Sequence, residues 1–455
     1  MPTPTSAGVS KSSELSLNPE QVKIAAAIYE QDLTFIVATT GFGKTAVCLH
    51  AIAEYLENDL ITQAIIVAPA SVVSHWPAEA SKWGLSLDVQ AVVGTPEQRA
   101  AIVATIPQVL VISLNNLEWL LKHGCAATMI IIDEISKASG KQTKMLRHKK
   151  FRDAIVYRVG MSATPVAENF EKLFGMVRVL DSGARLGRSK ERFMQNYFIQ
   201  TDYKGYKHDL APKAAEKILA VVADILYVVE SDKEKSLPPL SYQTISYQMS
   251  EEAREVYDEL RRHMLVSIAG DAVEAANQAV VSGKLRQISG GFIIDNEGSV
   301  LELDTNRAEC VKLTVDHAIP AGEKVLVLYN NDHQRCQLAD VFAGEPMAFV
   351  YGGSNKEAAL AAFKAGEVRL LIAQESTLSH GVDGLQDVCS NLIFMQATWS
   401  ADTKIQAIGR LHRTGQEKPV NVFTIECEKS VDQLVALRQE NKAGYMRLFI
   451  QHLKN

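Results

Sequence analysis

Read for its alternation of apolar and polar positions, the chain carries two series of short, continuous apolar runs separated by segments with helical spacing. The first series, "TFIVA", "AIIVAP", "VLVIS", "MIIIDE" and "YRVGMSATP", lies between Asn18 and about Leu180. Runs this short, rich in β-branched residues and bounded by turn formers, suit strands buried on both faces of a parallel sheet. The second series, "KVLVLY", "MAFVYGG", "RLLIAQ", "NLIFMQ" and "VNVFTI", repeats the plan from about Lys324 to Ile425. The pattern predicts an α/β protein with two doubly wound parallel-sheet lobes in tandem.

Between the two series the texture changes to helical, charge-rich segments from Asp181 to Val229 and from Ser250 to Gln287, split by "SDKEKSLPPLS". The Pro238 and Pro239 pair breaks helix and is the hinge candidate. The expected division is a flexible leader over 1–14, a first lobe over 15–235 with a helical insertion at about 181–230, and a second lobe over 236–455. The second lobe is expected to hold a helical insertion at about 250–290 and a C-terminal helix at about 430–455.

Composition narrows the chemistry. The 455 residues exceed one ordinary core, and 47% hydrophobic content is that of a globular protein. The net charge of -6 removes the simplest nucleic-acid argument, so any phosphate binding must come from local clusters. Six scattered cysteines without a CxxC predict reduced core thiols and argue against zinc. "MPTPTSAGVSKSS" lacks the apolar stretch of an export signal. "ILAVVADILYVV" is short for a membrane span and carries Asp224, so a cytoplasmic protein without a membrane partner is expected.

"FIVATTGFGKTAV" reads as a strand, a glycine-bearing turn and a helix start. Across Thr40, Gly41 and Gly43 the backbone can curl so that N–H groups face phosphate, with Lys44 reaching the β and γ phosphates and Thr45 able to hold Mg²⁺. The strict GxxxxGKT pattern has Ala38 where its first glycine belongs. The "IIIDE" run then delivers Asp133 and Glu134 to the C-terminal end of a strand, where open α/β sheets bind ligands. Asp133 would hold Mg²⁺, directly or through water, and Glu134 would polarise the attacking water. A kinase or a simple GTPase also uses such a loop, so these residues alone leave the substrate open. "MSATP" ends the next strand with Ser162 and Thr164, suited to sensing nucleotide. Near the C-terminus, "QAIGRLHRTGQ" spaces Arg410 and Arg413 so that a continuing helix would set both on one face, where they repel unless something anionic faces them.

With "LNPEQ", "APASVVSHWPAEASKW", "GMSATPVAENFEKLFGMVRVL", "LGRSKERFMQNYF", "LPPLSYQTISYQMSEEAREVYDEL", "KLRQISGG", "HGVDGLQ" and "WSADTKIQAIGRLHRTGQEKPVNVFTI" in this order, the chain resembles superfamily 2 nucleic-acid motors over nearly its whole length. Within them it is similar to the Swi/Snf-type branch, in its compact phage and prokaryotic form. The resemblance implies two RecA-like lobes using ATP and Mg²⁺, with Gln21 contacting the adenine base. It also implies that one or both of Arg410 and Arg413 stabilise charge on the γ phosphate, while Gly381 allows close approach of the nucleotide and Asp383 contacts its ribose or the arginines. Ser136, Ser162, Thr164 and Gln406 would couple nucleotide state to the second lobe. "DEIS" stands where the family usually has "DEAH", and "TLSHGVDG" lacks the glycine pair of larger relatives.

The resemblance further implies backbone contacts to nucleic acid at Pro69, Ala70, Ser71, Ser113, the "YGGS" turn with Gly353, and Thr377. From Lys137 to Arg152 there are seven basic residues and no acidic one, which adds Lys137, Lys141, Lys144 and Arg147 as phosphate contacts; "RLGRSKER" is a second basic patch. Phe193, Tyr197 and the four tryptophans Trp76, Trp83, Trp119 and Trp399 read as packing residues. The implied function is ATP-driven translocation on duplex DNA by a monomer in a bacterial or phage-infected cell, remodelling DNA or protein–DNA complexes. Branched DNA and replication, recombination or repair proteins are the implied partners. A strand-separating or branch-migrating helicase, an RNA-directed motor and an ATP-gated DNA clamp with little turnover remain the alternatives.

Overall fold

The computed structural model describes residues 16–436 apart from 40, 139–140, 167–169, 202–207, 230–236, 270–274, 296, 379–381, 383 and 399. The described residues fall into two compact units, one up to Val229 and one from Leu237 onward. The expected leader and most of the expected C-terminal helix lie outside the described residues, although 431–436 are helical.

The first unit is built on β1 (Leu33–Ala38), β2 (Ala64–Ala68), β3 (Val89–Ala91), β4 (Val109–Ser113), β5 (Met129–Ile132) and β6 (Tyr157–Ser162). An antiparallel pair, β7 (Phe198–Gln200) and β8 (His208–Leu210), stands apart, and β9 (Leu226–Val229) returns to the main sheet. The sheet order is β3-β4-β2-β5-β6-β1-β9, parallel throughout. The central strands are apolar at nearly every position because helices cover both faces. Each fully buried Ile or Val contributes about 1.5–3 kcal/mol. The helices Pro19–Glu30 and Lys44–Glu57 pack together on one face, with the Tyr55 hydroxyl donating to the Ile28 carbonyl at 2.8 Å.

Two strands of this sheet were not legible in the pattern. β3 is a three-residue edge strand, too short for a periodicity. β9 emerges from "ILAVVADILYVV": the helix Ala214–Val222 takes its first half, a tight turn carries Asp224, and pairing with β1 makes the rest extended. The expected helical insertion is therefore mixed, holding helices, the β7–β8 pair and a sheet strand.

The second unit has β10 (Leu240–Tyr247), an antiparallel pair β11 (Phe292–Ile294) and β12 (Val300–Glu302), then β13 (Val325–Tyr329), β14 (Met347–Val350), β15 (Leu370–Gln374), β16 (Asn391–Phe394) and β17 (Val420–Cys427). Its sheet runs β10-β17-β16-β13-β15-β14, again parallel. β10 is a half-exposed edge strand following the proline pair. The Pro238 carbonyl accepts from His412 Nε2 at 2.9 Å and the Pro239 carbonyl from the Val420 amide at 2.9 Å, so both prolines are tied to this unit. The helices Glu251–Ala269 and Ala275–Ser289 lie in the stretch where the second insertion is expected.

The interior of the second unit holds an ion pair between Arg307 and Asp432, both fully buried. Arg307 also donates to the Met395 carbonyl at 2.9 Å and the Ile425 carbonyl at 3.2 Å, while Asp432 accepts from the Cys427 amide at 3.1 Å. One charge network thus ties the ends of β16 and β17 to the helix Asn306–His317. Four cysteines are buried, as core thiols should be, but Cys336 is exposed on the helix Asp332–Val341. Among the described residues, no helix is long and apolar enough to cross a membrane.

Candidate functional site

The C-terminal ends of β1, β6 and β5, adjacent in the first sheet, bring together the phosphate loop, the Ser162 segment and the carboxylates. β1 ends at Ala38, which is still extended and paired with Val229, so the position needs no glycine. Gly41 and Gly43 have φ of 86° and 89°, the left-handed region that favours glycine. Gly43 caps the helix Lys44–Glu57, whose first-turn N–H groups are of the kind that can receive an anion. Thr40 lies outside the described residues.

Gln21 supports this loop directly. Asn18, Pro19 and Gln21 form a helix start in which the Asn18 side chain accepts from the Gln21 amide at 2.9 Å and the Gln21 Oε1 accepts from the Asn18 amide at 2.8 Å. The remaining Gln21 Nε2 donates to the Phe42 carbonyl at 2.7 Å. A Cβ on Gly43 would stand 2.4 Å from that nitrogen, so the glycine also permits this close approach.

Lys44 Nζ donates to the carbonyls of Ala38 at 2.6 Å and Thr39 at 2.9 Å. Burial lowers its pKa, while the nearby Glu134 and Asp133 carboxylates oppose that shift. Asp133 extends the β5 ladder through its amide to the Val67 carbonyl at 2.8 Å. Burial first, then repulsion by Glu134, pushes its carboxyl up to about 6, with Lys44 partly offsetting them. Glu134 has φ 53° and ψ 53°, a left-handed conformation that is uncommon for a residue with a side chain and is a form of strain found at functional sites. Its neighbour Ile135 is fully buried over Gly160 of β6, where a Cβ would come within 2.7 Å of it. Ser136 is half-buried in the short turn that follows. Ser162 ends β6, its hydroxyl accepting from the Thr164 amide at 3.1 Å; both residues are buried.

In the second unit, Arg410 and Arg413 do not share a helix face. The helix Ala401–Ile408 stops at Gly409, and 409–413 wind down through turns as Leu411 drops into the core. Arg410 Nη1 donates to the Val382 carbonyl at 3.1 Å, joining two segments whose kinship the sequence could only suggest. Gln406 is buried on the helix. Gln416 is a structural clip: its Nε2 donates to the Cys389 and Leu411 carbonyls at 3.0 and 3.2 Å. Sequence reasoning missed Lys356, which donates to the Thr377 carbonyl at 3.5 Å and whose pKa is lowered by burial and then by Arg410. The only available signal was a lysine two residues after the "YGGS" turn, at the start of a helix. Gly381, Asp383 and Trp399 lie outside the described residues.

The backbone-contact candidates occupy turns at strand ends. Pro69, Ala70 and Ser71 follow β2, with Ala70 and Ser71 exposed, and Ser113 ends β4 on the same edge of the first sheet. Gly353, with φ 91°, is exposed after β14, and Thr377 is in the short helix after β15. Lys137 and Lys144 are exposed and Arg147 half-buried; the side chain of Lys141 lies outside the described residues. Phe193 is buried and stacks on Phe174 at 4.6 Å, and Trp76 is buried, as packing residues should be.

A family model described as the SNF2-related domain matches residues 22–290. The chain is 26% identical over 445 residues to a protein designated p41 of Acyrthosiphon pisum secondary endosymbiont phage 1, covering 92% of this chain and 94% of that one. It is 23% identical over 450 residues to the SWI/SNF chromatin-remodeling complex subunit snf22 of Schizosaccharomyces pombe, covering 91% of this chain but only 27% of that much longer relative. It is 22% identical over 453 residues to the uncharacterized ATP-dependent helicase YqhH of Bacillus subtilis, covering 91% of this chain and 76% of the relative. A solved structure, the Sulfolobus solfataricus SWI2/SNF2 ATPase core in complex with dsDNA, aligns with a TM-score of 0.44 at 17% identity, over 95% of this chain and 94% of that chain.

Proposed function

The chain belongs to the SNF2-related domain family and is a superfamily 2 ATPase, and on that premise we propose that it is a motor that translocates on double-stranded DNA. The observation that carries this reading is the convergence of Lys44, Asp133, Glu134 and Ser162 at the ends of three adjacent strands.

In the proposed cycle, Lys44 exchanges its bonds to the Ala38 and Thr39 carbonyls for the β and γ phosphates of ATP, beside the N–H groups of the helix it begins. The Thr45 hydroxyl and the Asp133 carboxylate are hard oxygen donors, and the repulsion between Asp133 and Glu134 is what a divalent cation relieves, so these residues fit Mg²⁺. Bound there, the ion would neutralise phosphate charge. Glu134 orients and polarises the attacking water. Arg410 and Arg413 complement the charge on the γ phosphate when the lobes close, and Gln21 holds the loop and faces the base. Ser136, Ser162, Thr164 and Gln406 transmit the nucleotide state.

Tighter binding of ATP to the closed state than to the open one converts hydrolysis into alternating grip. Grip falls on Pro69, Ser71, Ser113, Gly353 and Thr377, whose backbone and hydroxyl contacts are sequence-independent, and on Lys137, Lys141, Lys144 and Arg147. The test is the steady-state ATPase rate with Mg²⁺, alone and with plain duplex, forked duplex, single-stranded DNA and duplex RNA. Stimulation by plain duplex supports the translocase. Stimulation chiefly by forks or single strands replaces it with a helicase, RNA-selective stimulation with an RNA motor, and a flat low rate with an ATP-gated clamp.

A further inference from the structure

The first lobe carries two basic segments, 137–152 and 185–192, that the sequence keeps apart. Its fold links them in two steps, through Arg158 and then Arg178; Arg158 is buried at the start of β6. Arg158 Nη2 donates to the carbonyls of Leu146 at 3.1 Å and Phe151 at 3.3 Å, Nε to that of Ile155 at 3.1 Å, and Nη1 to that of Val179 at 3.2 Å. Leu146 precedes Arg147 and Val179 follows Arg178. One guanidinium therefore fixes the backbone next to two arginines that are 31 positions apart in sequence.

Arg178 lies over the Phe174 ring at 5.1 Å, and its Nη1 donates to the Arg188 carbonyl at 3.1 Å, which brings the second basic segment against the first. Burial and then the charge of Arg147 lower the Arg178 pKa, the sign of like charges held close. Nearby acids are already engaged: Glu171 with Lys190, Asp224 and Asp181 with Arg185, and Asp153 with Arg152. Glu191 is exposed beside them. Among the described residues, no ion pair involves Arg147, Arg178 or Arg188.

We propose that Arg147, Arg178 and Arg188 form a single binding surface for the phosphate backbone of duplex DNA, assembled by Arg158. This rests on the reading of the chain as a DNA motor. Three guanidinium groups, drawn from a short helical turn, a helix and a loop, can each meet phosphate oxygens with two parallel N–H donors, as lysines cannot. Contact of this kind supplies affinity without sequence preference.

The experiment is fluorescence anisotropy of a short blunt duplex, titrated across about 50–200 mM salt, with the wild type and a triple variant, Arg147→Gln, Arg178→Gln, Arg188→Gln. Circular dichroism melting reports whether the variant is folded. The expected result is an affinity loss of about 10–100-fold and a fall of about 2–3 in the slope of log K against log salt, because each phosphate contact contributes about 0.9. The exposed single variant Arg188→Gln should lower the slope by about 1 even if the triple variant is unstable. An unchanged slope in folded variants overturns the proposal. So does a triple variant that loses binding to polyglutamate but keeps its grip on duplex, which would mark the surface as one for acidic protein. Wild-type protein that binds no duplex, with an ATPase indifferent to DNA, would instead remove the motor reading itself.

Discussion

The side-chain amide of Gln21 donates to the carbonyl of Phe42 across 2.7 Å, so the first helix of the fold holds the middle of the phosphate loop. Gln21→Ala removes a buried hydrogen bond worth about 1 kcal/mol and leaves that carbonyl unsatisfied. Weakening of ATP affinity by about five- to tenfold is expected, read by titration with a fluorescent nucleotide. Base selectivity separates two roles: if Gln21 only holds the loop, ATP and GTP weaken equally, whereas a contact to adenine predicts that the preference for ATP narrows.

Asp133 has a folded-state pKa of about 6, raised by burial and by Glu134. Its contribution to stability is complete below the ordinary carboxylate value of about 3.9 and is lost as pH rises through about 6. Nucleotide-free Asp133→Asn should therefore melt later than wild type at pH 7.5, by an amount corresponding to about 1–3 kcal/mol given its partial exposure, and the gap should close near pH 4. A variant that melts earlier at pH 7.5 would contradict this. The same variant should lose Mg²⁺-dependent ATPase activity.

Glu134→Gln keeps size and hydrogen bonding but removes the charge that polarises water. ATPase turnover should fall about 10²–10⁴-fold while ATP still binds, measured by single-turnover hydrolysis beside equilibrium binding. Arg410→Ala and Arg413→Ala should each lower turnover by about 10²-fold or more if they meet the γ phosphate. Arg410→Ala should also loosen the 382 segment, because it removes the donor to the Val382 carbonyl. Unimpaired turnover in both arginine variants would exclude them from the chemistry.

Asp432→Ala leaves the buried Arg307 guanidinium without its counter-charge. Breaking such a pair from one side costs about 3–5 kcal/mol, so chemical denaturation should show the second lobe losing its transition early or altogether. Replacing both partners with apolar residues of similar volume should recover much of the loss. A single variant as stable as wild type would mean that the network contributes little.

Much of this was legible in the chain, for identifiable reasons. Continuous apolar runs such as "AIIVA" and "KVLVLY" announce strands because a parallel sheet buries both faces, and the fold has them as β2 and β13. The phosphate loop, the Asp133–Glu134 pair and the Swi/Snf resemblance follow from local chemistry, since a phosphate cradle needs glycine, lysine and a hydroxyl within a few residues. β3, β9 and β10 were hidden, being short or half-exposed edge strands whose extended form comes from a partner far away in sequence. The shared helix face expected for Arg410 and Arg413 was wrong because the helix stops at Gly409, a poor helix former, before either arginine.

The sequence by itself determined the tandem parallel-sheet plan, the family and the residue types of the candidate ATP site, because each is written in contiguous stretches of chain. Tertiary structure alone decided which distant groups meet: Gln21 with Phe42, Arg410 with Val382, Arg307 with Asp432, and Arg158 with the backbone beside Arg147 and Arg178. Each of these contacts involves buried polar groups whose desolvation must be offset by a specific partner, and the folded backbone selects that partner.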